Sequence, residues 1–344
     1  EFRFLATGNT VQGNRIGTDD RGTTALPNGG AGVVLDGGGA NTVGGTTANA
    51  GNLISGNTGD GINVSTRANI IVGNLIGTES RGIGPLPNGG DGVHITDQGN
   101  VVGGPVPGAG NVIAGNGGSG VYVEDAGSSN NQIVGNYIGT NVTATIPISN
   151  AGSGVYLDEV TGNTVGTITG TGGNTIAFNR RDGVTVTGPQ DVPSNNPIVG
   201  NSIFQNGSTA RDLGIDLLRF DGVTADDALD PDGGGNNLQN YPELVAVAPT
   251  ATELDITWNL NSLANNQFRV EFFTCDGSAL GEGQTYLGSA VPIPTTDAGG
   301  DVQPQPTTTR LLGVTIPAGS RVTATATVLN AGVPGATSEF AACL

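Results

Sequence analysis

Three short texts of this 344-residue chain, GVHIT at 92–96, GVYVE at 120–124 and GVYLD at 154–158, share one pattern: glycine, aliphatic, variable, aliphatic, variable. If each is a short strand, its aliphatic residues point one way and the residues between and after them point the other. His94, Tyr122 and Tyr156 then form one outward file, with Glu124 and Asp158 in the next. Stacked one strand apart, the two carboxylates would stand roughly 5 Å from each other, the separation used by a retaining glycosidase. Three readings of this patch are open. It is a catalytic group of Glu124, Asp158 and His94 acting on polysaccharide as hydrolase or lyase, a glycan-contacting stripe of His94, Tyr122 and Tyr156, or a solvated face with stacked tyrosines. The sequence favours the last, because no loop forms an evident cleft wall and the nearest cations, Arg180 and Arg181, lie one repeat away.

The remaining chemical inventory is sparse. All 12 basic residues are Arg, Lys and Met are absent, and there is one His and one Trp. Lysine Schiff bases and P-loop chemistry are thereby excluded. His94 has no GxSxG partner for a nucleophilic triad. A net charge of -18 makes nucleic acid a poor partner. No run approaches the roughly 18 apolar residues of a membrane span. One further cluster, Asp226, Asp227, Asp230, Asp232 and Asn236, has the alternating oxygen donors and glycine turn of a calcium loop, with Asp230, Asp232 and Asn236 as its nearest match. It has no recognisable bidentate Glu, and a solvated turn is the other reading; no cofactor is otherwise required. Cys275 and Cys343 lack metal-site spacing, so they read as a disulfide in an oxidising compartment or as two buried thiols.

A repeat must position these residues. IGTDDRGTTALPNGG at 16–30 returns as IGTESRGIGPLPNGG at 76–90, and a weaker copy begins at Ile138. Inside this long unit lies a shorter one of three segments. The first pairs Asn with an aliphatic residue two later, as in Asn69/Ile71, Asn100/Val102 and Asn131/Ile133. The second does the same at Asn74/Ile76, Asn111/Ile113 and Asn136/Ile138, and the third is the glycine-aliphatic segment itself, with Ile62/Val64, Val93/Ile95 and Val121/Val123 inward. About seven such coils follow, none able to bury its face alone, so they must stack as a parallel β-helix over 9–220. The recurring Asn residues are expected to form structural ladders. Long loops alternate between two places in successive coils, which produces the longer period.

After a linker at 221–240 rich in Asp, Gly and Asn, the pattern changes. Leu254, Ile256 and Trp258 alternate, as do Phe268, Val270 and Phe272, and Val322, Ala324, Ala326 and Val328 lie opposite Thr323, Thr325 and Thr327. About seven such strands over 241–344 predict an immunoglobulin-like β-sandwich. The fold class is all-β.

The texts NTVGG, AGNLISGN, GNLIGT and LGIDL, with FFTCDGSALGEGQTYLG, RVTATATVLN and TSEFAAC in the second part, resemble secreted bacterial surface proteins with right-handed parallel β-helix repeats and a C-terminal immunoglobulin-like sandwich. The resemblance implies the handedness and an extracellular or cell-surface location, and says little about activity, since β-helices also serve pectin and alginate lyases and polygalacturonases. The chain has no initiator Met and reads as a processed or excised segment. No cap is visible before the first coil, and residues 1–8 form an arm in which Phe2 and Phe4 share one face. The arm either folds back over its own coil or adds to a neighbour's sheet. The expectation is a non-enzymatic structural or adhesive surface protein that self-associates head to tail, with a polysaccharide-acting enzyme or glycan binder as the alternative.

Overall fold

The computed structural model describes residues 6–169, 172–189, 194–218, 222–277 and 281–344; the arm residues Phe2 and Phe4 lie outside them. Up to Asp216 the chain winds through three sheets of seven strands each. The first runs from Thr10–Val11 to Ile198–Val199, the second from Arg15–Ile16 to Ser202–Phe204, and the third from Val33–Leu35 to Ile215–Asp216. All pairing is parallel and follows the repeat: Val102 lies between Ile71 and Ile133, Ile113 between Ile76 and Ile138, Val121 between Val93 and Val155. These inward residues have no accessible surface and belong to one continuous core, so the chain is a parallel β-solenoid. Each buried aliphatic contributes about 1.5–3 kcal/mol.

The alternating loops have a local cause. In alternate coils the first-sheet strand ends in Gly44, Gly103 or Gly166, next in register to Val72, Val134 or Val199. Gly103 has φ +85°, and a Cβ there would lie 2.0 Å from the Val134 carbonyl oxygen. Only glycine can leave the sheet at that point, and the loop at 104–109 follows. In the intervening coils the chain turns directly from Val72 to Leu75 and from Val134 to Tyr137.

At the corners, each Asn is held by the Asn one coil on. Asn69 donates from its backbone N–H and its Nδ2 to Oδ1 of Asn100, both at 2.9 Å. The second column repeats this at Asn74 and Asn111, again at 2.9 Å. A further column, which the sequence reading did not find, runs through Asn57, Asn88, Asn116, Asn150 and Asn179. Its first four residues sit in NTG, NGG and NAG texts that look like ordinary turns.

The C-terminal part forms two antiparallel sheets. One is ordered Glu243–Pro249, Glu253–Asn259, Thr307–Leu312; the other Gly283–Ser289, Gln267–Cys275, Val322–Asn330, Val333–Thr337. In chain order this is one-two-five against four-three-six-seven, an immunoglobulin-like sandwich arrangement in which the fourth strand pairs with the third. Trp258, Phe268, Val270, Phe272, Val322, Ala324 and Ala326 fill its core. Cys275 and Cys343 form a disulfide. Ala341 and Leu344 hydrogen-bond to Ala324 and Val322, so the bridged tail is bound along the sixth strand.

Thr323, Thr325 and Thr327, on the face opposite the sandwich core, are buried as well. That face packs on the last solenoid coil, where Phe273 and Phe340 join the solenoid core. Buried acceptors there receive the backbone N–H groups that a further coil would have taken. Gly200 donates to Glu271 at 2.9 Å, Asn206 to Glu282 at 2.9 Å, Leu217 to Glu339 at 3.2 Å and Ile198 to the Thr337 hydroxyl at 2.9 Å. Asn206 Nδ2 also reaches Glu282 at 3.1 Å, so a glutamate ends the third Asn column. Asn236, inside the stretch expected to be a linker, accepts from Asn196 N–H at 2.8 Å and ends the first. The sandwich is therefore a cap.

Replacing Asn111 with Ala removes the acceptor of the Asn74 backbone N–H and leaves Asn74 Nδ2 only the Val43 and Val72 carbonyls, in a site closed to water, and is expected to cost about 3 kcal/mol. Asn14→Ala, in the exposed first coil, is expected to cost less than about 1 kcal/mol. Urea midpoints of the two variants check this ordering.

Burial pushes Glu339 up to about 7 and raises Glu271 and Glu282, outweighing the backbone donors they accept. The nearby charges are Asp216 for Glu339, Arg269 for Glu271 and Asp276 for Glu282. A raised carboxyl binds more protons folded than unfolded, so its contribution is full below the unfolded value of about 4.3 and falls as pH rises through its folded value. Calorimetry should therefore give a higher Tm at about pH 5 than at about pH 8, with a smaller difference in Glu339→Gln. A Tm that rises with pH over that window would contradict the buried-acid cap.

Candidate functional site

The third sheet carries the outward file as its register requires: His94 pairs with Tyr122, and Tyr122 with Tyr156. Their rings stack with centroids 5.1 and 5.0 Å apart. The spacing is that of the coils themselves, so every ring face in the interior of the file is covered by its neighbour. A sugar approaching from solvent would meet ring edges. Tyr156 is buried, and Tyr122 and His94 are half-buried.

Glu124 and Asp158 lie on either side of the Tyr122 phenol, which contacts Glu124 Oε2 at 2.8 Å and Asp158 Oδ2 at 2.9 Å. Both carboxylates thus reach the same phenol oxygen. Their outer oxygens are engaged too: His94 Nε2 meets Glu124 Oε1 at 2.9 Å, and the Thr187 hydroxyl donates to Asp158 Oδ1 at 2.5 Å. On its other side His94 Nδ1 is 3.5 Å from Asp60 Oδ2. A single chain of polar contacts, Asp60–His94–Glu124–Tyr122–Asp158–Thr187, runs lengthwise over successive coils. A phenol has one proton to give, so Tyr122 donates to one carboxylate at a time, and a second bond needs a proton on a carboxyl.

Asp60 and Asp91 complete this file; sequence reading did not single them out. Each precedes the glycine of a third-sheet segment, and each accepts a backbone N–H one coil on, Asp91 N at 2.8 Å and Ser119 N at 2.6 Å. The repeated Asp-Gly before an aliphatic pair was the available signal. Asp60, Asp91 and His94 bring potential metal ligands within 4.8 Å of one another, but these side chains are already engaged with each other or with backbone N–H groups. Burial pushes Asp91 up to about 6. Burial also opposes ionisation of Asp60, yet the bonds from His94 and the Asp91 N–H outweigh it and its pKa falls. The Asp60 contact, against burial and with help from Glu124, raises His94. Burial and the two flanking carboxylates raise Tyr122.

Beside the stack runs an open groove of about 400 Å³, with Asp91, Tyr122, Tyr156, Arg181 and Asp182 on its walls. Arg181 thus lines the same depression as Asp158, whereas Arg180 is not among its lining residues. At the junction, the other expected cluster separates. Asp230 and Asp232 stay together with Asp227, their carboxylate oxygens within 4.8 Å. Asn236 is committed elsewhere, its Nδ2 donating to the carbonyls of Asn196 and Thr337 at 2.8 and 3.1 Å.

No protein-family model matches the chain, and no curated protein is detectably similar to it.

His94 is the sole histidine, so one imidazole signal reports its titration by NMR. Its midpoint is expected above the ordinary 6.5 or so and should fall in Glu124→Gln. A midpoint at or below the ordinary value would contradict the contacts with Asp60 and Glu124.

Proposed function

We propose that this chain is a non-enzymatic extracellular structural protein, a rigid surface element that associates with copies of itself. The observation that carries the reading is the mutual engagement of the outward polar file. Glu124 and Asp158 share the one phenol proton of Tyr122, and their outer oxygens meet His94 and the Thr187 hydroxyl, which favours a structural over a catalytic role for the pair. A retaining pair needs one carboxylate free to attack and one acid free to protonate the leaving oxygen. The same contacts serve a mechanical role well, because they fasten successive coils along the outside while the Asn columns fasten them inside.

Two further features support the reading. The disulfide suits an oxidising compartment, as expected of a secreted protein. The two ends of the solenoid also differ. The last coil lies under the sandwich, whereas Val11, Ile16 and Val33 of the first coil are half-buried, unlike their fully buried counterparts Val43, Ile54 and Ile62. A strand or coil from a second copy laid on that edge would continue the sheets, and such a contact propagates head to tail. The groove beside Tyr156 and Arg181 favours, as a second reading, a glycan held by ring edges and polar groups without turnover.

Negative-stain electron microscopy over a dilution series tests the proposal. Filaments with a regular axial repeat, lost when residues 1–6 are deleted, are the expected result. Isolated short particles at every concentration would overturn self-association.

A further inference from the structure

We propose that Asp227, Asp230 and Asp232 hold a calcium ion at the junction between solenoid and sandwich. A group of neighbouring acids alone would not carry this, because exposed carboxylates commonly gather without an ion. Two oxygens here are different. Asp230 Oδ1 and Asp232 Oδ1 are shut off from water and have no hydrogen-bond partner. Asp230 is 4% exposed, and its other oxygen is fixed by the Ser262 hydroxyl at 2.6 Å and the Asn240 N–H at 3.4 Å. A buried anionic oxygen without a donor is costly, and such groups in folded proteins are paired or coordinate a metal. Among the described residues none of the three acids takes part in an ion pair. The chain contains no Lys to serve them. Burial, with a smaller push from the like charges of Asp232 and Asp227, raises Asp230 to about 6 against the bonds from Ser262 and Asn240.

The donor set selects the ion. It consists of carboxylate oxygen alone, with no sulfur or imidazole, which suits a hard cation of flexible geometry such as Ca²⁺. Main-chain carbonyls and water would complete its six to eight ligands. The place gives the ion a task. The same loop continues into Asn236, the last rung of an Asn column, and Asn240 Nδ2 ties the Asp227 carbonyl at 2.6 Å to the Asn261 carbonyl at 2.9 Å. An ion there would lock the cap's attachment to the rod. This inference is independent of the proposed self-association.

The full chain, stripped with EDTA and dialysed at about pH 7.5, should show one calorimetric Ca²⁺ site of sub-millimolar to millimolar Kd, the range of extracellular calcium modules. Its Tm should rise by several degrees at about 10 mM CaCl₂ and much less with equal MgCl₂. In Asp232→Asn, and separately in Asp230→Asn, the calcium response should vanish. The ion-free variants should melt at or above the ion-free parent, because a like charge has been removed. Three results would overturn the proposal: no calcium heat and no Tm shift, equal responses to both salts through screening of the acidic surface, or an undiminished calcium response in both variants.

Discussion

A buried side-chain amide must find its partners inside the protein, and most of this structure follows from that requirement. Strands of two to four residues cannot fix their own register. Asn69 and Asn74 can be buried only if Asn100 and Asn111 stand one coil further on with Oδ1 in place. A one-residue slip would move every aliphatic residue to solvent and leave each amide unpaired, so the core and the columns enforce the same register. The excess length of each coil must therefore leave the stack at a corner. Gly103 allows this in one coil, while Val134 closes the corner in the next.

A ladder also needs an end. Here Asn236 and Glu282 act as final rungs, and Glu271, Glu339 and Thr337 accept the outstanding backbone donors. The two parts are thus one construction in energetic terms, with the sandwich contributing Phe273 and Phe340 to the solenoid core. The acidic composition acquires a structural meaning: with no lysine available, the chain uses carboxylates as acceptors for its own amides and hydroxyls, at the cap and along the outward file alike.

The solenoid was legible because its signal is local and repeated. The inward residues of all three sheets and two Asn columns could be read from alternation and spacing. The third column was hidden, since Asn57, Asn88 and Asn116 lie in glycine-rich text that reads as turns. Long-range contacts explain the other differences. Thr323, Thr325 and Thr327 alternate like an exposed face and are covered only because the solenoid lies on it. Asn236 resembles a loop ligand until Asn196, forty residues earlier, is seen bonded to it. The outward file was legible as a juxtaposition, and its neighbours Asp60 and Asp91 were not, because their role depends on a hydrogen bond to the next coil. Spacing could suggest oxygen donors at Asp230 and Asp232, but it could not show that two of those oxygens lack partners.

The account stands on the claim that the Asn columns are closed, mutually bonded ladders. Side-chain amide exchange, followed by NMR in protein labelled with nitrogen-15 at asparagine, addresses that claim directly. The Nδ2 protons of Asn69, Asn74, Asn111 and Asn116 are predicted to exchange as slowly as the backbone N–H of Ile71 and Ile113, and Asn14 in the first coil much faster. Uniformly fast exchange of the column amides would contradict the ladders, and with them the explanation offered for register, loops and cap.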